Sequence, residues 1–255
     1  MTISIEGKKI LIVGGAGKLG KSISINIANS KAIPIIADAN EENLDSLKLE
    51  LNKKKYYSFK SIIEDLSTIE ECISKSIALA GELDGIVYAS YPKSKGWGSN
   101  IEDLKEENLK EDLFMQLGIP ILFSRHAINY FIKKGSGNLI HISSIQGIQA
   151  PKFEHYIGTD MASPIEYSAI KSGIISMSRW LAKYYKFKNI RINCVSPGGI
   201  EHNQPKIFQE KYKRDCTNLG LLNSDHISSL VLYLLSDSSI AINGQNLIVD
   251  DGWSL

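Results

Sequence analysis

Lys9-Ile10-Leu11-Ile12-Val13-Gly14-Gly15-Ala16-Gly17-Lys18-Leu19-Gly20 decides the fold. The first five residues are a short apolar run, the pattern of a buried strand. A glycine-rich turn follows, and then a helical pattern through Ile23, Ile25 and Ile27. Strand, glycine turn and helix in that order are the context a dinucleotide fingerprint requires. Glycines allow a tight turn and close backbone approach, and the helix N-terminus offers N–H groups to a pyrophosphate. A bare glycine pattern would be weak, since a tight strand-to-helix turn can use the same residues. Its placement here makes Gly14, Gly17, Lys18, Leu19 and Gly20 candidate cofactor contacts.

The alternation continues outward. A second strand, Ala32 to Ala37, closes on Asp38. An acid roughly 20 residues past the glycines can accept hydrogen bonds from ribose hydroxyls. Its charge repels a 2′-phosphate, whereas Lys18 would attract one; the balance favours NAD over NADP. Asp38 could instead cap a helix, although Asn40 can fill that role. A helix through Leu44, Leu47 and Leu51 leads to a strand near Tyr56 to Ile62. Asp65, with Leu66 beside it, either meets the adenine amino group or caps a helix beginning near Thr68. That helix runs to Ala80, and Leu83 to Ala89 form the fourth strand, ending at Ala89. A long helical region covers roughly Ile101 to Lys134, Asn138 to Ser143 the fifth strand, and Ile190 to Val195 the sixth. A helix near Ser224 to Ser236 precedes a last strand, Asn246 to Val249. Regular strand–helix alternation predicts an α/β fold: a doubly wound, mostly parallel seven-stranded sheet with helices on both faces. One domain spans residues 1–255. Three stretches, about 90–100, 148–165 and 200–223, are predicted to be substrate-side loops, the last a mobile polar lobe.

Composition excludes several function classes. Of 255 residues, 29 are Lys or Arg and 28 Asp or Glu, giving a net charge of +1, which leaves no nucleic-acid footprint. No apolar run of about 18 residues predicts a membrane span. The polar N-terminus lacks a signal-peptide core. Cys72, Cys194 and Cys216 are too scattered for a disulfide frame or a metal knuckle. A cytoplasmic protein without a metal is expected.

The chemistry concentrates near Tyr167-Ser168-Ala169-Ile170-Lys171. Tyr and Lys four residues apart share one helix face. A tyrosine titrates near pH ~10, and a nearby ammonium pulls that value down. The pair is a proton-transfer device in outline, though the spacing alone is common on solvated helix faces. Ser144, at the carboxyl end of the fifth strand, could donate to a substrate carbonyl, or simply cap a helix. Ser90 to Gly98 leave the end of the fourth strand with two lysines and two aromatics. They would suit an anionic or sugar-like small molecule, or else form a solvated loop with one packed Trp.

Taken in order, these pieces resemble the short-chain dehydrogenase/reductase family over nearly the whole chain. The carrying motifs are Gly14-x-x-x-Lys18-x-Gly20, Asp38, Asp65, Ser144-Ile145-Gln146-Gly147, Tyr167-x-x-x-Lys171, Asn193-x-x-Ser196-Pro197-Gly198 and Ile242-Asn243-Gly244-Gln245…Asp251-Gly252. The resemblance implies a Rossmann fold and an NAD(P)-dependent oxidoreductase. Tyr167 would be the acid/base, Lys171 its partner and ribose contact, and Ser144 the carbonyl contact. Pro197, Gly198 and Ile200 would lie at the nicotinamide end. The family's fourth catalytic residue, an Asn, falls on Gln116. Its second fingerprint glycine falls on Lys18, and its Asn-Asn-Ala-Gly motif on Tyr88-Ala89-Ser90-Tyr91. The Ser144-to-Tyr167 spacing is about ten residues longer than usual, and so long an unpatterned stretch is usually functional. It is expected to face substrate beside the cleft. Homodimers or homotetramers through the long helices are implied too. Ala89 to Gly98, Ala150 to Glu154 and Ser196 to Ile200 are most similar to oxidoreductases of bacterial flagellin-modification clusters, which make nonulosonic sugars such as legionaminic acid. That implies a sugar phosphate or nucleotide sugar. A 3-oxoacyl or ketone reductase using NADPH is the alternative enzyme, and a non-catalytic dinucleotide-bound scaffold or sensor the alternative of another class.

Overall fold

The computed structural model describes residues 3–255; Met1 and Thr2, part of the polar N-terminal stretch, lie outside them. The strands are β1 (Lys9–Val13), β2 (Ile33–Asp38), β3 (Tyr57–Lys60), β4 (Gly85–Tyr88), β5 (Gly137–Ile142), β6 (Ile190–Pro197) and β7 (Asn246–Val249). The helices are α1 (Lys18–Asn29), α2 (Glu41–Glu50), α3 (Leu66–Ala80), α4 (Glu106–Leu113), α5 (Ile119–Lys134), α6 (Ile165–Tyr184), α7 (Lys206–Arg214) and α8 (Ser224–Leu235). The sheet order is β3-β2-β1-β4-β5-β6-β7. Every neighbouring pair is parallel, so the sheet is parallel throughout.

Parallel strands covered on both faces read as continuous apolar runs, and β1 shows why. Leu11 and Val13 join the cluster under α3, α5 and α6, built on Ile69, Phe123, Phe131 and Leu181. Ile10 and Ile12 point the other way, into the cluster under α1 and α8 with Ile23, Ile27, Val231 and Leu234. The alternation follows from the period of two along a strand. Some polar groups inside act as braces. His141 of β5 lies 2.8 Å from both Ser124 of α5 and Ser178 of α6. Full burial pushes its pKa down to about 3, so it is a neutral cross-brace. Arg191 of β6 donates to the Leu234 and Ser236 carbonyls at the end of α8, which have no partner within the helix.

Two expectations change. The Ile101 to Lys134 region is helical, as expected, but not uniform. A short 3-10 turn (Ile101–Asp103), α4, a π-helical turn (Phe114–Gly118) and α5 follow one another. Pro120 in the first turn of α5 has no N–H to contribute there, which suits a helix start. The 200–223 lobe is not merely polar chain: α7 folds within it, burying Phe208 and Tyr212. Its apolar residues sit four apart on one helix face, a period obscured by the charges between them.

Phe123 is fully buried against Tyr88, with ring centroids 5.0 Å apart. Phe123→Ala should lower unfolding stability by about 3–5 kcal/mol in urea titrations.

Candidate active site

The sheet order reverses direction between β1 and β4, and open α/β sheets bind ligands at the strand ends beside such a point. A cleft of about 660 Å³ lies there. It is lined by Gly14, Gly17, Lys18, Leu19 and Gly20 from the first turn, Asp38 from β2 and Ala89 beyond β4. Ser144, Tyr167, Lys171, Pro197, Gly198 and Ile200 line the same cleft.

The first turn is a tight cradle. Gly14 has φ +74°, and a Cβ there would lie 2.8 Å from Ser90 Cα. A Cβ on Gly20 would collide with the Gly14 carbonyl. Gly17 caps α1 with no side-chain hydrogen bond, leaving the helix N-terminus open to an anionic group. Asp38 steadies this turn: its Oδ2 accepts from Ala16 N (2.8 Å) and Gly17 N (3.1 Å), and its Oδ1 from Asn40 N (2.9 Å). Asn40, not Asp38, caps α2, accepting from Asn43 N. A pyrophosphate fits the open N–H groups, and a ribose fits beside Asp38. Lys18 is exposed, and desolvation lowers its pKa with the field of Glu201 opposing.

Asp65 and Leu66 are not part of the cleft lining; Ser61, Ile62, Ile63 and Glu64 are. Asp65 caps α3 instead, accepting from Thr68 N while the Thr68 hydroxyl accepts from Asp65 N. Of the two roles open to it, the local capping box takes the side chain. The three residues between the end of β3 and Glu64 carry the chain past the cleft first. Ile62 and Ile63 had no polar signature to mark them.

At the other end, α6 carries Tyr167 and Lys171 on one face. Lys171 is buried, and its Nζ lies 3.4 Å from the Ile142 carbonyl and about one ring away from Tyr167, 5.4 Å from its centroid. Desolvation brings its pKa down to about 8. Burial raises the Tyr167 pKa, hydrogen bonding with Ser144 opposing it. The simple expectation that Lys171 pulls the phenol down is therefore overridden by desolvation in the ligand-free protein. Gln116 sits in the π turn, buried, and neither of its amide atoms has a partner. Its neighbour Met115, rather than Gln116, lines the cleft.

The loop after β4 contributes more than a packed Trp. Tyr91, Trp97 and Tyr167 meet edge to face, with centroids 5.4, 5.8 and 5.9 Å apart. Lys93 and Lys171 approach the Tyr91 ring at 5.0 and 5.2 Å. Tyr91 and Lys93 line the cleft. The 148–164 segment does not; with Gln146, Gly147, Ser168 and Ser172 it lines a second cavity of about 720 Å³. No helix is long and apolar enough to cross a membrane, and no His, Cys, Asp or Glu cluster suited to a metal occurs, among the described residues.

Strand-end cradle, acid after β2 and Ser–Tyr–Lys group line one cleft, an arrangement that suits a dinucleotide-dependent oxidoreductase. Residues 15–254 match a family model described as enoyl-(acyl carrier protein) reductase. The chain is 40% identical over 255 residues, covering 98% of it and all of the relative, to the post-translational flagellin modification protein A of Campylobacter coli. It is 28% identical to the 3-oxoacyl-[acyl-carrier-protein] reductase FabG of Thermotoga maritima, covering 97% of this chain and 98% of that one. A short-chain dehydrogenase from Leptospira borgpetersenii, solved with bound NAD+, superposes with TM-score 0.88 at 25% identity, covering 99% and 94% of the two chains. The chain belongs to the short-chain dehydrogenase/reductase family, whose members are oxidoreductases acting on CH–OH or C=O groups with NAD(P).

Two outcomes check this geometry. Asp65→Ala should lower the melting temperature yet leave NADH affinity unchanged in a fluorescence titration. Lys171 carries a folded pKa below its unfolded value of 10.5. Its buried charge therefore destabilises the fold below about pH 8, and the penalty fades as pH rises to 10.5. Lys171→Met should thus be more stable than wild type by about 2–4 kcal/mol at pH 7. That gap should narrow by pH 10 in urea titrations.

Proposed function

We propose that this oxidoreductase exchanges a hydride between NAD(H) and a carbinol or carbonyl carbon of an anionic sugar derivative, a sugar phosphate or nucleotide sugar used in surface-glycan synthesis. The observation that carries the substrate class is the Tyr91–Trp97 pair beside Tyr167, with Lys93 at 5.0 Å from the Tyr91 ring. Aromatic faces suit the C–H face of a sugar ring, and a lysine suits its anionic group. The name of the Campylobacter relative points the same way.

In this mechanism the nicotinamide, when bound, supplies or accepts the hydride. Ser144 donates a hydrogen bond to the substrate oxygen and fixes its place. Tyr167 gives a proton to that oxygen in reduction and takes it back in oxidation. Its raised pKa keeps the phenol protonated at neutral pH, which suits the acid role. Lys171 holds the nicotinamide ribose and tempers the phenol. Gln116, with neither amide atom partnered by protein, would hold a water on the proton path. Asp38 holds the adenosine ribose hydroxyls and disfavours a 2′-phosphate. Pro197, Gly198 and the Ile200 backbone receive the carboxamide end.

Lys18 at the turn and the Thermotoga relative favour a second reading, an NADPH-dependent 3-oxoacyl reductase. The free thiols Cys72, Cys194 and Cys216 suit the cytoplasm. Exposed Phe114, Ile121, Trp180 and Tyr184 on the α4–α6 side suit a homodimer or homotetramer.

Titration with both reduced cofactors, read by energy transfer from Trp, tests the reading. NADH should bind about tenfold or more tighter than NADPH, and Tyr167→Phe should cut turnover at least a hundredfold at nearly unchanged NADH affinity. NADPH preference with turnover of an acyl thioester would favour the second reading. Binding without turnover of any sugar phosphate, nucleotide sugar or thioester would leave a scaffold.

A further inference from the structure

The 148–164 segment lines none of the cleft, yet it is fastened to the helix beside it. His155 is 2% exposed on a short 3-10 turn (Phe153–His155). Its Nε2 lies 2.5 Å from Asp215 Oδ2, one residue past α7. Lys152 Nζ reaches the other carboxylate oxygen at 3.1 Å. In the opposite sense, Lys211 of α7 donates to the carbonyls of Glu154 (3.0 Å) and Ile157 (2.7 Å). The His155 ring packs against Phe208, Tyr212 and Trp253 at 5.6–6.1 Å. Paired charges, backbone acceptors and an aromatic stack thus join the segment to α7 from both sides. A buried imidazole with one hydrogen-bonded carboxylate is costly to separate, because removing either partner strands the other.

Through Tyr212, α7 also reaches the chain that borders the cleft. The Tyr212 hydroxyl accepts a hydrogen bond from Gly199 N at 2.6 Å. Gly199 is pressed between Tyr212 and Leu221, where a Cβ would lie 2.9 and 2.6 Å away. The next residue, Ile200, lines the cleft. Displacing α7 must therefore displace the Gly199–Ile200 peptide.

We propose that the 148–164 segment is a clasp for α7, with His155 and Tyr212 as positioning residues. His155 sets α7 through Asp215, and Tyr212 passes that placement to the backbone at the nicotinamide end. The second half of this rests on the dinucleotide reading above.

Hydrogen exchange on the ligand-free full chain and NADH titration together test it. His155→Ala and Asp215→Ala should each raise exchange across 206–216 by about tenfold, the double variant no further, with β1 and α1 unaffected. His155→Gln, which keeps a donor on a side chain of similar reach, should recover much of the protection. His155→Ala and Tyr212→Phe should each weaken NADH binding about fivefold. Tyr212→Phe should do so with exchange at 152–157 unchanged. Unchanged exchange in 206–216, or additive single effects, would overturn the clasp. Wild-type NADH affinity in both variants would overturn the positioning role. A wild-type protein that binds neither NADH nor NADPH would remove the dinucleotide reading and, with it, the positioning half; the exchange result would still decide the clasp.

Discussion

Between the turn after β1 and the chain leaving β4 there is no room for one carbon atom. A Cβ on Gly14 would sit 2.8 Å from Ser90 Cα and N, and 3.0 Å from the Ala89 carbonyl carbon. Gly14 also takes φ +74°, a conformation that strains any residue with a side chain. This contact sets the floor of the cleft. It brings the N-terminus of α1, the Asp38 carboxylate and the exit of β4 to one place, and the loop that then runs through Tyr91 to Trp97 begins from it.

The catalytic end is governed by desolvation. Lys171 and Tyr167 are both buried, and burial disfavours the ammonium and the phenolate alike. The pair therefore rests nearer to neutral amine and neutral phenol than either residue does in water. Tyr91 intensifies this by covering Lys171 and abutting Tyr167. A ring over an ammonium offers some compensation through its quadrupole, but far less than bulk hydration. At neutral pH the site thus keeps the Lys171 ammonium at a desolvation cost beside a protonated Tyr167 phenol.

Much of the fold was legible because it is written in strong periodicities. Buried parallel strands are continuous apolar runs, and β1, β2, β5 and β6 appear within a residue or so of where the pattern places them. The cleft residues were legible where chemistry leaves a mark, as in the glycines, Asp38, Ser144, Tyr167 and Lys171. Asp65 shows the limit. One carboxylate can cap a helix or reach a base, and sequence spacing does not weigh a local capping box against a distant ligand; Ile62 and Ile63, which do line the cleft, carry no chemical signal at all. The break in the Ile101 to Lys134 helix was equally hidden. A π turn changes the backbone register while leaving composition untouched. The 148–164 segment is fastened in part from sixty residues away, as His155 is by Asp215, and no local pattern encodes such a partner.

Cofactor preference turns on the same kind of competition at close quarters. Asp38 is nearly buried, and its carboxylate already accepts three backbone N–H bonds. Those bonds hold it in place at the end of β2. A 2′-phosphate brought beside it would meet a fixed negative charge in a half-dry site, where repulsion is poorly screened. Lys18 is the only counterweight in the turn, but it is exposed, flexible and already in the field of Glu201. Part of its attraction is thus spent within the protein, and the rest is weakened by water. A buried repulsion set against an exposed attraction is the physical ground on which the proposed NAD reading rests at the β2 end of the cleft.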